Sequence, residues 1–299
     1  MNPLWLSHFT ATSCIGSGKT ATLAALQQRR GGLTRCAFDT VDLDTYIGEV
    51  PAVDAVQLPA HLAHFDCRNN RLALLGLLQD QFAEAVEAAK AKYGTARVGV
   101  FLGTSTAGIL QTELAYRRRH PDSGALPPDF IYRTTHNTYS VADFVRHYFD
   151  LRGPAVVVSS ACSSSAKVFG SAGRMLEAGL IDAALVGGVD SLCLTTLYGF
   201  NSLGLTSDSA CRPFDTQRNG ISIGEAAAFV LLERVHEPLD ADAVLLLGTG
   251  ESSDAYHMSS PHPDGLGAQI AMREALDRAG LAPDDIDYIN LHGTATPSN

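Results

Sequence analysis

Two residues in this chain of 299 have surroundings suited to chemistry, Cys162 and His292. Cys162 stands where an apolar, β-branched run, Ala155 to Val158, gives way to small residues that continue to Ala166. A cysteine between a strand and a helix lies near unpaired N–H groups and the positive end of the macrodipole, which favour the nucleophilic thiolate. The small neighbours let another molecule approach closely. His292 ends a second apolar run, Ile286 to Leu291, just before Gly293-Thr294. A neutral imidazole N–H can stabilise an oxyanion in a dry pocket. For a single cysteine a structural role is the commoner case; the matching histidine shifts the balance.

Other motifs carry less. Gly16-Ser17-Gly18-Lys19-Thr20 imitates a phosphate-binding loop, but the pattern requires glycine at position 13, which is Ser13. His61, His64 and Cys67 would share one helical face, yet no second His/Cys cluster completes a metal site. His257 and His262 likewise have no matching cluster. No metal is expected, and without a dinucleotide fingerprint no cofactor is expected either.

The elements that must position the pair follow from periodicity. Leu4–Thr12 reads as a strand, Lys19–Arg30 as a helix, and Arg71–Lys92 as one long helix. Arg97–Leu102 is a strand opening into a Gly103–Gly108 turn. Val156–Val158 reads as the strand before the cysteine and Ala166–Leu180 as the helix after it. Ala183–Val186, Ala226–Leu232, Ala243–Thr249 and Ile286–Leu291 read as further strands, and Ala268–Ala279 as a helix. Strands alternating with helices give an α/β class with parallel or mixed sheets. Val100–Thr106 and Ile289–Thr296 echo one another, each an apolar strand opening into a Gly-Thr turn.

The formal net charge of −10, with no basic block, argues against a nucleic-acid partner. Six widely spaced cysteines without a C-x-x-C pair argue against a disulfide framework and fit a reducing compartment. The first basic residue is Lys19, so no charged signal-peptide start is seen, and no apolar run reaches the length of a membrane span. A soluble, cytoplasmic protein is expected.

Several segments resemble one family in its own order, from about Phe9 to Asn299. They are Ser160-Ala161-Cys162-Ser163-Ser164, Leu185–Asp190, Cys211–Asp215 with Asn219-Gly220, Ser253–Pro261, and His292-Gly293-Thr294-Ala295-Thr296-Pro297. The chain resembles the beta-ketoacyl-[acyl-carrier-protein] synthases of the elongating, Cys-His-His branch. The resemblance implies a thiolase-like fold, layered αβαβα, of two similar halves with the site between them. Residues 1–238 would form the first half and 239–299 the beginning of the second. Related chains continue past this point and bring a second catalytic histidine, a lysine and a Gly-rich loop. The second half is therefore expected to be incomplete here.

The resemblance also implies roles. Cys162 is the nucleophile, and His292 helps stabilise the enolate formed when malonyl-carrier protein loses CO2. Thr294, Thr296 and Ser259 would contact the pantetheine arm, and Phe200 and Thr106 would line the acyl tunnel. The Thr106 hydroxyl would suit a long, polar or conjugated chain, as in a polyene or polyketide pathway. The expected partners are acyl carrier protein, whose phosphopantetheine holds the substrates, and a second synthase chain, identical or paralogous. Pairing would run through the charge-free strand Val156–Ser159. Arg68, Arg71, Arg117 and Arg118 are candidates for docking the acidic carrier. Two other readings stay open: a non-catalytic partner subunit like the chain-length factors, and a thiolase.

Overall fold

The computed structural model describes residues 1–236, 238–257 and 261–297. In chain order the elements are β1 (Leu4–Ser13), β2 (Gly16–Ser17), α1 (Lys19–Gln27), β3 (Thr34–Arg35), β4 (Tyr46–Gly48), α2 (Arg68–Leu77), α3 (Phe82–Tyr93), β5 (Val98–Gly103) and α4 (Ile109–Arg117). There follow α5 (Ser140–Tyr148), β6 (Ala155–Val158), α6 (Ser164–Glu177), β7 (Ala183–Asp190), α7 (Leu194–Ser202), β8 (Ile223–Gly224), β9 (Ala226–Arg234), β10 (Leu245–Leu246) and α8 (Leu266–Ala279).

The main sheet has the order β10-β1-β9-β7-β5-β6, with β2 hairpinned onto β1. It is mixed: β5 runs parallel to both β6 and β7, while β9 is antiparallel to β7 and β1. All six residues of β5 are buried, as expected of a central parallel strand covered on both faces. On one face Leu72, Leu77, Phe82, Phe144 and Phe229 form a core beneath α2, α3 and α5. On the other, Phe101, Val168, Leu176 and Val186 pack under α6. Each such side chain contributes about 1.5–3 kcal/mol by leaving water. A small sheet, β3-β4-β8, lies apart from the main one. Beyond α6, a cavity of about 250 Å³ separates it from Thr249–Ser252 and the start of α8. Lys167 of α6 reaches Glu251 across it at 3.3 Å.

Three expectations change. The helix expected over Arg71–Lys92 is two helices, broken at Asp80 and Gln81, which both adopt left-handed backbone (φ 56° and 58°). The break turns the Asp80 carboxylate toward β1 and α1, where it accepts bonds from Thr10 Oγ1 at 2.8 Å and Lys19 N at 2.9 Å. Of Ala243–Thr249 only Leu245–Leu246 is strand, pairing with the start of β1. Ile286–Leu291 forms no strand at all: a strand needs a neighbour for its N–H and C=O groups, and none lies beside it among the described residues. Its side chains stay out, with Tyr288 79 % and Leu291 61 % exposed. Ile286, Tyr288 and Ile289, with Met272, Leu276 and Leu281, line an open apolar groove along α8.

Candidate active site

The three parallel strands β7, β5 and β6 end side by side, and the candidate site is built at those carboxyl ends. Beyond β6, Ser159 and Ser160 lead to Ala161, which is left-handed (φ 51°). Cys162 follows, exposed, and Ser163 is the N-cap of the 14-residue helix α6. The elbow is fastened at the Ala161 carbonyl, which accepts from Ser164 Oγ at 2.6 Å, Ser105 Oγ at 3.0 Å and Ser164 N at 3.1 Å. Ser164 Oγ in turn accepts from Ser160 N at 2.9 Å. These bonds offset the cost of left-handed alanine, about 1–2 kcal/mol.

Ser105 comes from the turn after β5, and that turn hangs on Asp190, the last residue of β7. Asp190 Oδ1 accepts from Ser105 N at 2.6 Å, Thr106 N at 3.0 Å, and the hydroxyls of Thr104 and Thr106, each at 3.1 Å. Helix α6 can sit this close to the sheet because β5 and β7 present glycine there. A Cβ on Gly103 would lie 2.5 Å from the Ser164 carbonyl carbon, and one on Gly188 would lie 2.6 Å from Ser165 Cβ. Sequence reasoning gave no role to Ser105, Ser164 or Asp190. The paired glycines at the ends of two buried strands were the available signal.

Thr106 is therefore brought to the elbow, but not as a free hydroxyl. It is 5 % exposed, and its Oγ1 both donates to Asp190 and accepts from Ser191 N at 2.9 Å. That hydroxyl is engaged within the fold, which corrects the expectation that it would offer a polar contact to a bound chain. Phe200 is half-buried on α7. Glu113 of α4 caps that helix, accepting from Thr195 N at 2.7 Å and Leu194 N at 2.9 Å. The Phe200 carbonyl accepts from Leu205 N at 3.1 Å and the Leu205 carbonyl from Ile221 N at 2.8 Å, next to Gly220.

Gly220 N bonds to the carbonyl of Ala295 at 2.9 Å, which reaches the second motif. His292, Thr294 and Thr296 lie together in one turn with left-handed Gly293 and Ala295 (φ 59° and 61°). The two threonine hydroxyls are 2.9 Å apart. His292 is exposed. Among the described residues neither Cys162 nor His292 has a side-chain hydrogen bond, so no direct bond joins them. The continuous path from elbow to β5 turn, α4, α7 and Gly220 is what links their two segments. Ser259 lies outside the described residues.

The cysteines separate by environment. Burial pushes the Cys67 thiol up to about 12 and raises those of Cys14 and Cys193, disfavouring their thiolates. Cys162 is the exposed one.

Arg68 is not a docking residue. It is 5 % exposed, and its five N–H donors are all taken. Glu225 accepts from Nε and Nη2 at 2.8 and 2.7 Å, Asp54 from Nη1 at 2.9 Å and Glu49 from Nη2 at 3.0 Å. The buried Glu225 explains the inward turn, because a carboxylate there requires a cation. Arg71 forks onto Asp66 with two 2.6 Å bonds, Arg117 pairs with Asp39 and Arg118 with Asp129. The Gly16–Thr20 segment holds the Asp80 carboxylate at the start of α1, the place a phosphate would take. No group of three or more His, Cys, Asp or Glu arranged for a metal occurs among the described residues, and no helix there is long and apolar enough to cross a membrane.

Comparison with known proteins bears on this geometry. The family profile of the beta-ketoacyl synthase N-terminal domain matches residues 73–237, and that of the C-terminal domain matches 243–299. A 3-oxoacyl-[acyl-carrier-protein] synthase 2 of Rhizobium meliloti is 35% identical over 210 residues, covering 66% of this chain and 49% of that protein. Another, of Vibrio cholerae, is 29% identical and covers 96% of this chain and 72% of that protein. The chain thus spans about half to three-quarters of the length of such relatives. Among solved structures, a ketosynthase in complex with its chain length factor from Xenorhabdus doucetiae superposes with TM-score 0.85 at 35% identity, covering 100% of this chain and 73% of that one. The ishigamide ketosynthase/chain length factor gives TM-score 0.85 at 25% identity. The chain shares the thiolase-like fold of these ketosynthases.

Proposed function

The chain belongs to the beta-ketoacyl synthase family, and from that premise we propose that it carries the nucleophile of a decarboxylative condensing enzyme acting in fatty-acid or polyketide elongation. The observation that carries this reading is the elbow: an exposed cysteine, set just before helix α6 by a left-handed alanine whose carbonyl takes three donors. The Cys162 sulfur attacks the acyl thioester, the carrier thiol leaves with a proton, and the acyl group rests on the enzyme. A malonyl thioester then loses CO2, leaving an enolate on its carbonyl oxygen. The enolate carbon attacks the acyl-Cys162 carbonyl and expels the thiolate. In this scheme His292 donates its N–H to the enolate oxygen, and Thr294, Thr296 and Ser259 bind the pantetheine arm. Phe200 faces the acyl chain.

The substrates would arrive on the phosphopantetheine of an acyl carrier protein, with Arg117 and Arg118 at the docking surface and Arg71 nearby. Strand β6 is the outer strand of the main sheet, half-buried, apolar and without charge. An edge of that kind invites another strand. It would pair across a two-fold axis with its counterpart in an identical or paralogous chain, as a chain length factor accompanies the Xenorhabdus doucetiae ketosynthase.

The two half-reactions separate the roles. Incubation with acyl-carrier protein should add one acyl group to Cys162, seen by intact-mass and peptide spectrometry. Labelled malonyl-carrier protein should release CO2. His292→Ala should keep the first and lose the second by about a hundredfold, the scale for removing one oxyanion-type donor. A wild-type protein that never acylates at Cys162 would instead be a non-catalytic partner subunit.

A further inference from the structure

His292 has no strand or helix to hold it, since Ile286–Pro297 contains neither. An imidazole that must meet an oxygen within hydrogen-bonding distance needs its turn fixed by something else. The supports come from the loop Cys211–Gly220. Pro213 and Phe214 lie against Gly293: a Cβ there would be 3.3 Å from a Phe214 ring carbon and 3.6 Å from Pro213 Cβ. Gly220 N holds the carbonyl of Ala295, a residue 1 % exposed. Arg218 does most of the fastening. Its Nε donates to the Thr296 carbonyl at 2.9 Å, Nη2 to the Pro297 carbonyl at 3.0 Å and Nη1 to the Asp215 carbonyl at 3.0 Å.

The loop is itself anchored. Asn219 donates to Asp208 at 2.9 Å and accepts from Ser207 Oγ at 2.6 Å, while the Ser207 carbonyl accepts from buried Thr45 Oγ1 at 2.7 Å, beside β4. A line of direct contacts therefore runs from the small sheet to the His292 turn, and Arg218 is its last side chain. Among the described residues Arg218 has no carboxylate partner. Its planar fork is engaged with backbone carbonyls alone, a use of guanidinium for shape that an ammonium cannot copy.

We propose that Arg218 is a positioning residue for His292: it touches no reacting atom, and it sets the imidazole by clamping the two carbonyls that close the turn. This rests on the reading of His292 given above, so the assay must tell the two apart. Wild type, Arg218→Ala, Arg218→Lys, His292→Ala and the Arg218→Ala/His292→Ala double variant are compared in the full chain for Cys162 acylation and for CO2 release from malonyl-carrier protein.

Arg218→Ala should leave acylation unchanged and slow decarboxylation by about ten- to a hundredfold, the effect of an imidazole displaced by up to an ångström. Arg218→Lys should behave nearly the same, and guanidinium ion at sub-denaturing concentration should partly restore the alanine variant. In the His292→Ala background the second substitution should cost nothing more. Losses that multiply in the double variant, or acylation falling in step with decarboxylation, would overturn the proposal. If Arg218→Ala does not fold, Arg218→Gln takes its place in the same cycle. A wild-type chain that acylates but whose CO2 release is indifferent to His292→Ala removes the role of His292 and this inference with it, whereas a normal His292→Ala effect with an inert Arg218→Ala removes this inference alone.

Discussion

Replacing Gly103 with alanine should disable acyl transfer while leaving the strand itself intact. The added methyl would stand 2.5 Å from the Ser164 carbonyl carbon and 2.7 Å from Ser165 Cα. Carbon atoms settle at about 3.5–4.0 Å, so the start of α6 must back away by about 1 Å. Overpacking of this kind costs about 1–3 kcal/mol. The elbow moves with the helix, because Ser164 holds the Ala161 carbonyl, and a displacement of about 1 Å can lower a rate by about 10²-fold. Gly188→Ala makes an internal control. Its methyl would stand nearest the Ser165 side chain, with Cβ at 2.6 Å and Oγ at 3.6 Å, and the Gly103 carbonyl oxygen at 3.3 Å. Adding Ser165→Gly should therefore rescue Gly188→Ala and fail to rescue Gly103→Ala, whose clash is with backbone. The assay is the rate of Cys162 acylation by quenched-flow mass spectrometry, alongside chemical denaturation. A Gly103→Ala protein acylating at the wild-type rate, or a Ser165→Gly rescue of both variants alike, would refute the close packing of helix on sheet.

Three other outcomes are expected. Iodoacetamide should label Cys162 first and Cys67 and Cys193 last, since burial holds those two thiols in the neutral form; peptide mapping that finds equal labelling would contradict the site. Glu225→Ala should cost about 3–5 kcal/mol in denaturant unfolding, because it takes the buried carboxylate from Arg68, leaving only the more exposed Asp54 and Glu49 to face that charge, and leaves the N–H groups of Val50 and Leu192 without their acceptor. A loss under about 1 kcal/mol would mean the network is not formed. Arg97, with Arg234, holds the Asp182 carboxyl below its ordinary value. The folded state then binds fewer protons than the unfolded one, so this stabilisation is complete above the unfolded value of about 3.9 and fades as pH falls through the folded one. Asp182→Asn should be less stable at neutral pH and show a shallower acid limb in urea titrations, and an unchanged limb would exclude that pairing as its source.

Cys162 could be read from the sequence because the features that define it are local. An apolar run that stops, a few small residues and a helical pattern specify strand, elbow and helix within a short stretch of chain. The same holds for most of the α/β order. Long-range contacts decided the rest. The Ser105–Ala161 bond spans 56 residues, Asp190 to Ser105 spans 85, and Arg218 to Thr296 spans 78. Nothing in the composition of any one segment announces such a pairing. Arg68 reads as a surface charge until Glu225, 157 residues away, is placed against it. Arg71–Lys92 reads as one helix until Asp80 is drawn off to Thr10 and Lys19. Ile286–Leu291 has the pattern of a strand and yet forms none, because alternation and branching describe a residue's fitness for a sheet, while a strand exists only where another backbone lies alongside to receive its hydrogen bonds.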